Sequence, residues 1–213
     1  MSSFKILHDN GKPLCFVGIG NMSKSIYSFF HDYKNSVMIG YEQVEQQSPE
    51  WLQQYQFIVI TSDVAQKIKI VNTLTQLGVH FFSLLHEYNA ISPDFKCGQG
   101  TLICAFNSMD VGDIVVDNHV IVCTHNTFGH ELHIHDFCHV GHHSFLNHAN
   151  IGQGSVLGIN VDILPSEINQ TIVIPEYCNI MSYSMITNSL PESGTYYKSK
   201  KISADTSLTK RML

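Results

Sequence analysis

A small parallel α/β unit followed by a β-solenoid is the architecture this sequence predicts, and three observations carry the prediction. Apolar residues recur every six positions at Val116, Val122, Phe128, Ile134 and Val140. After a slip of one residue they resume at Ile151, Leu157 and Ile163, and again at Ile168, Ile174, Ile180 and Ile186. A helix repeats at about 3.6 residues and a strand at about 2, so the spacing fits short strands and turns stacked in coils, one inward residue per strand. Secondly, glycine follows the apolar residue at Phe128-Gly129, Val140-Gly141, Ile151-Gly152 and Leu157-Gly158, where such a coil must turn. Thirdly, the first part of the chain lacks this period and alternates short apolar runs with amphipathic segments, the pattern of a parallel sheet with helices on its faces.

Taken in order, Leu14 to Val17 predicts a first strand, Gly18 to Ser25 a tight turn, and Ile26, Phe29, Phe30 and Tyr33 the apolar side of a helix. Ser36 to Tyr41 predicts a second strand ending at Glu42. Glu50 to Tyr55 reads as a short helix and Phe57 to Thr61 as a buried strand. Val64 to Leu77 reads as an amphipathic helix closed by Gly78, and Val79 to Leu85 as a fourth strand. In such a sheet ligands bind at the carboxyl ends of the strands. Asn89 to Pro93 reads as a linker, Gly100 to Met109 as an irregular first coil, and Leu164 to Ile168 as a loop that breaks the register. Beyond Leu190 to Gly194 the repeat ends in a basic, Ser-rich tail (Lys198, Lys200, Lys201, Lys210, Arg211), expected to be mobile or helical. The expected division is therefore 1–92 for the α/β unit, 93–190 for the solenoid and 191–213 for the tail. Coils of this kind bury a core only by stacking on one another, and enough repeats are present.

With 44% apolar and 14% charged residues and a formal net charge of −6, the chain has no basic stripe for nucleic acid. No apolar run reaches the length of a membrane span, and the start, Met1-Ser-Ser-Phe-Lys5, has no signal-peptide pattern, so a cytoplasmic location is expected. The six cysteines are scattered without a C-x-x-C pair and read as reduced, structural thiols.

Two clusters carry candidate chemistry. Gly18-x-Gly20-x-x-Ser23, with Glu42 past the second strand, is close to a dinucleotide fingerprint. Glycines there let the backbone approach a phosphate. The turn has three readings: nucleotide-phosphate binding, an NAD(P) site, or structure alone. The second cluster is Gly129-His130-Glu131-Leu132-His133-Ile134-His135-Asp136-Phe137-Cys138-His139; nine of the thirteen histidines fall between His119 and His148. The metalloprotease spacing fails because Ile134 stands where a second histidine is needed, and no metal is expected. His119, His125, His133 and His142 read as surface histidines. His130 differs, because Glu131 beside it supplies a carboxylate able to orient an imidazole acting as general base. The slip before Ile151 makes His148 a neighbour of that site and not a member.

On these residues the chain resembles the bacterial left-handed β-helix (hexapeptide-repeat) sugar acetyltransferases, in particular the sialic acid O-acetyltransferases and the N-acetyltransferases of nucleotide-linked 4-amino-4,6-dideoxy sugars. Gly129-His130-Glu131, Ile134-x-Asp136-Phe137-x-His139-Val140 and Leu157-Gly158-Ile159-Asn160-x-x-Ile163-Leu164-Pro165 carry the resemblance, which spans nearly the full length. It implies a Rossmann-like N-terminal domain that holds a nucleotide-sugar, and a left-handed β-helix that trimerises with acetyl-CoA between subunits. By the same resemblance His130 is the catalytic base and Glu131 its partner. His139 contacts the acetyl donor, Gly158 belongs to a segment whose amides meet the pantetheine arm, and Asn160 and Ile174 complete the cofactor contacts. Gly18, Gly20, Asn21, Ser23, Lys24, Tyr41 and Glu42 hold the nucleotide-sugar, with Lys24 available to a phosphate. The expected reaction is direct attack of a sugar amine on the thioester, in surface glycan synthesis, with a backbone N–H for the oxyanion and no covalent enzyme intermediate. Sugar O-acetylation and a non-catalytic binding scaffold are the alternatives. The chain departs from the family at Asn21 to Lys24 after the glycines, at Tyr41-Glu42, and at Tyr196 to Lys201 in place of a C-terminal G-x-P-A motif.

Overall fold

The structure is a computed structural model that describes residues 4–109, 112–167 and 170–203; Ile168, Lys210 and Arg211 of the sequence reading lie outside the described residues. Its N-terminal part is a parallel sheet of four strands in the order Val37–Ile39, Leu14–Val17, Gln56–Val59, His80–Phe81. Leu14, Cys15, Phe16 and Val17 are fully buried, which is why this strand reads as a continuous apolar run instead of an alternation. Four helices accompany the sheet: α1 (Asn21–Tyr27), α2 (Tyr41–Val44), α3 (Pro49–Leu52) and α4 (Val64–Gln76). The Asp63 side chain accepts the Gln66 N–H at the start of α4, and Gly78, at φ +66°, takes the left-handed conformation that ends it. α1 stops at Tyr27, short of the expected Tyr33, and α3 covers only the first turn of the segment read as helix.

The fourth strand is split. His80–Phe81 completes the parallel sheet, whereas Ser83–His86 pairs with Leu102–Ile103 and opens the solenoid. Ser83 holds the changeover: its hydroxyl donates to the Gly98 carbonyl at 2.7 Å and accepts the Thr101 N–H at 3.0 Å. Phe4–Leu7, a strand the sequence reading did not foresee, pairs antiparallel with Ser83–His86. Asn89 to Pro93 is accordingly no linker, since Ala90–Ile91 pairs with Ser108–Met109 inside the coil. Asn89 starts a side-chain ladder there: its Oδ1 accepts the Asn107 N–H, that of Asn107 accepts the Asn126 N–H, and that of Asn126 accepts the Ser144 N–H.

The solenoid is a left-handed parallel β-helix with three faces. The first face runs Ser83–His86, Leu102–Ile103, Ile121–Val122, His139–Val140, Val156–Leu157, Asn179–Ile180 and Thr195–Tyr197. The second runs Ala90–Ile91, Ser108–Met109, Thr127–Phe128, Phe145–Leu146, Asp162–Ile163 and Met185–Ile186. The third runs Lys96–Cys97, Ile114–Val116, Leu132–Ile134, Ala149–Ile151 and Ile172–Ile174. Every described residue of the six-residue series is at most 1% exposed and belongs to one core. Leu146 also faces inward and pairs with Phe128, so the slip falls between Leu146 and Ile151. Val140 and Leu157 are partners 17 residues apart, but Leu157 and Ile180 are 23 apart, because the loop after Leu164 lengthens one coil.

Two further surfaces position the site. On the outside of the first face Leu102, Cys104, Ile121 and Cys123 are apolar, and they pack against Phe16, Phe30, Ile58, Ile60 and Phe82; burying this surface fixes the N-terminal unit on that face. The described part of the tail, up to Ser203, contains strands where a mobile or helical segment was expected. Thr195–Tyr197 adds to the first face and Lys200–Ser203 folds back on it antiparallel. Tyr196, 1% exposed, closes the end of the core and donates its hydroxyl proton to the Glu192 carbonyl, which a solvated tail would not do.

Candidate active site

His130 and Glu131 form the corner between the second and third faces. His130 is exposed, its N–H is held by Asn147 Oδ1 at 2.9 Å, and no hydrogen bond to another described residue occupies its ring nitrogens. Gly112 makes room for that ring, since a Cβ there would lie 2.7 Å from His130 Nδ1. Glu131 does not bond His130. Its Oε2 lies 3.4 Å from His148 Nδ1, and the His148 N–H donates to the His130 carbonyl at 2.8 Å. The rings of His130 and His148 stand 6.2 Å apart. His148 is thus a member of the cluster, because the slip comes after it and leaves the two histidines 18 positions apart. Glu131 and His148 have φ of +51° and +47°, but corresponding corners carry the same conformation at His125, His143 and Asn160, so these angles belong to the coil and are no mark of function.

The turn from Gly18 to Ser25 lies on the other side of the molecule, on the unit packed against the first face. Gly18, Ser23 and Tyr41 converge on the Ile60 carbonyl, which accepts the Ser23 hydroxyl at 3.1 Å and the Tyr41 hydroxyl at 2.9 Å. Ser23 is 1% exposed and therefore ties α1 to the sheet in place of a third glycine, leaving Gly20, Asn21, Lys24 and Glu42 as the exposed groups of the turn. At Gly18, φ is +140°, and a Cβ would lie 2.6 Å from both the Ile60 carbonyl and Ser23 Oγ. Gly18→Ala is therefore expected to cost about 1–3 kcal/mol, whereas Gly20, whose Cβ would meet nothing within 4 Å, should tolerate alanine. Thermal melts of the two variants check this, and equal melting temperatures would contradict it.

His139 is 2% exposed, on the first face beneath α4. Its Nε2 lies 3.7 Å from Cys123 Sγ and its Nδ1 has no partner among the described residues. Burial, with the charge of Lys67 and then His142, pushes its pKa down to about 3. Lys67 of α4, 1% exposed, donates to the His119 carbonyl at 3.0 Å, and burial pushes it down to about 7. His119 is not a surface histidine. It is 8% exposed, with its ring between Phe81 and Phe137, and burial, then Lys67, lowers it to about 3. Of the other three expected on the surface, His125 is exposed, His142 is half-buried against Thr124 Oγ1 at 2.9 Å, and His133 is paired with Asp117. Burial raises all six thiols, Cys97 to about 12.

The residues expected at the cofactor divide by what the coil already uses. The Gly158 N–H donates to the Ile180 carbonyl, that of Ile159 to Ser182 Oγ and that of Asn160 to the His142 carbonyl. These amides are consumed by coil stacking, which leaves the Asn160 side chain, not the backbone N–H groups, for a ligand. The Ile174 side chain is 1% exposed in the core and its carbonyl accepts the Gly152 N–H, so a side-chain contact to a cofactor is ruled out there. Gly158 and Asn160 sit at one edge of the second face and His130 at the other, separated by the strands between.

No family model matches the chain, and no curated protein matches it. Solved structures do. The acetyltransferase domain of PglB from Neisseria gonorrhoeae FA1090, in complex with acetyl coenzyme A, is 17% identical with a TM-score of 0.68, covering 91% of this chain and 100% of that one. PerB from Caulobacter crescentus, in complex with CoA and GDP-perosamine, is 16% identical with a TM-score of 0.70, covering 87% of this chain and 93% of that one. WeeI from Acinetobacter baumannii AYE is 13% identical with a TM-score of 0.62, covering 86% and 95%. The likeness is one of fold, over both the N-terminal unit and the β-helix.

Proposed function

We propose that the chain transfers an acetyl group from acetyl-CoA to the amine of a nucleotide-linked amino sugar, such as a 4-amino-4,6-dideoxy sugar, as a cytoplasmic homotrimer serving surface glycan synthesis. The observation that carries the reading is His130, an exposed imidazole whose ring nitrogens bond no other described residue, beside Glu131 and His148. Two solved structures of the same fold are complexes, one with acetyl coenzyme A and one with CoA and GDP-perosamine. The thioester supplies the acetyl carbon, which bonds to the amine nitrogen as its bond to sulfur breaks. His130 accepts the proton the amine loses, and Glu131 with His148 supports the charge that forms on this corner. Gly20, Asn21, Lys24 and Glu42 bind the nucleotide part, Lys24 as a cation for phosphate. Asn160 contacts the donor. Lys198 and Lys200, exposed at the end of the coil, are cations for the phosphates of coenzyme A.

Because His130 and the nucleotide turn lie on different sides of one chain, a complete site takes His130 from one subunit and the first face with its N-terminal unit from the next. The test is thermal-shift binding of acetyl-CoA with UDP-, GDP- and dTDP-linked amino sugars, followed by thiol release with each stabilising pair and sedimentation of the protein. Thiol release from a trimer is expected. Stabilisation by nucleotide without CoA, or a strict monomer, would overturn the reading.

A further inference from the structure

Asp117 follows the third-face strand Ile114–Val116, one coil before His133 and His135, and the stacking brings the three together. Asp117 Oδ2 lies 2.8 Å from His133 Nε2 and 3.1 Å from His135 Nδ1, and the three atoms are within 4.8 Å of one another. The imidazole rings are 3.9 Å apart. All three side chains are partly buried, 28% exposed for Asp117 and 35 to 38% for the histidines. The orientation of His135 is set from behind, because its Nε2 meets Asn150 Oδ1 at 2.8 Å. With the amide oxygen accepting from Nε2–H, a neutral His135 turns the lone pair of Nδ1 toward the Asp117 carboxylate. Two lone pairs in that position repel unless a proton or a cation lies between them. A histidine that gives one N–H to a carbonyl and points its other nitrogen at a carboxylate has the arrangement found at metal ligands, where the outer partner fixes the tautomer. A cavity of about 300 Å³, lined by Asp117, His135, Asn150 and Glu176 among others, opens beside the cluster and leaves space for a further ligand.

From this geometry we propose that Asp117, His133 and His135 bind a divalent transition-metal ion, zinc being favoured by two imidazoles and one carboxylate, with a fourth position open to the cavity. The site is separate from the His130 corner and does not rest on the acyltransferase reading. Its third ligand comes from the preceding coil, which hides it from any search by sequence spacing.

Chelator-treated full-length protein titrated with Co²⁺ is expected to bind one equivalent per chain and to show the intense visible bands of a four-coordinate ion, displaced by Zn²⁺. Asp117→Asn and His133→Gln should abolish the bands, and Asn150→Ala, which keeps every ligand, should weaken binding by roughly 10- to 100-fold. A His125→Gln, His143→Gln double variant should bind as the parent does. On the unaltered chain, Zn²⁺ should protect His133 and His135 from diethyl pyrocarbonate. Absence of binding, bands that survive Asp117→Asn, or unprotected His133 and His135 would overturn the assignment; the footprint keeps the test open should a variant fail to fold.

Discussion

If the proposed function holds, His130→Ala is expected to lower acetyl transfer by roughly 10²- to 10⁴-fold in kcat while leaving the KM values nearly unchanged, the loss that follows when a general base is removed from a site that still binds its substrates. In free energy this is about 3–5 kcal/mol. The split between kcat and KM matters, because His130 is exposed and its N–H, not its ring, is what the fold uses. Loss of the ring therefore leaves the Asn147 hydrogen bond and the corner intact. Glu131 contacts His148, so Glu131→Gln and His148→Ala should each give a smaller loss, and the two should be non-additive because they remove one interaction. Steady-state kinetics of the parent, the three single variants and the Glu131→Gln, His148→Ala double variant, with circular dichroism to show that each folds, decides the matter. A His130→Ala enzyme with full kcat would remove the base assignment, and independent, additive losses for Glu131 and His148 would remove the coupling.

The coil was legible because its physics is strict: each short strand must send one apolar residue inward, and a break in that series changes the core. The split at Phe82 was not legible, since Val79 to Leu85 is equally apolar for either sheet, and only the Ser83 hydrogen bonds reveal which strand each half joins. Leu146 was passed over in the series, which moved the apparent slip and took His148 out of the site. The pairing of Asp117 with His133 spans 16 residues, a contact made by stacking and by no local pattern. In the tail, polar and basic neighbours mask Tyr196, so one buried ring outweighed the composition of the whole segment. The glycine turn after the first strand and the α4 helix were legible, but the depth of Lys67 was not, because a lysine in an amphipathic helix ordinarily keeps its head in water.

Lys67 is also the source of the second large effect. Burial holds it at about 7 against an ordinary 10.5, so between these values the unfolded chain binds the proton more strongly and stability rises with pH. His139, held at about 3 against 6.5, is neutral in the fold; its contribution is fully present above 6.5 and is lost as pH falls toward 3. At ~1.4 kcal/mol per unit each window is on the order of 5 kcal/mol. The buried thiols act in the opposite sense above their ordinary 9.0, because raised groups lose stability as the unfolded chain ionises. The alkaline gain should therefore be seen between pH 7 and 9, with a fall beyond it. Lys67→Met separates these effects: it removes the gain from 7 to 9 and keeps the thiol loss. At pH 7 it stabilises the protein by about 1–4 kcal/mol, the removed burial penalty exceeding the lost hydrogen bond to the His119 carbonyl. His139→Gln should remove only part of the acid-side loss, because His119, also held at about 3, keeps its own. Denaturant unfolding from pH 4 to 10 on the three proteins tests the account. A rise from pH 7 to 9 that persists in Lys67→Met would show that another group carries it, and a destabilised Lys67→Met protein would mean that the lysine is held in the fold as a charged, paired group.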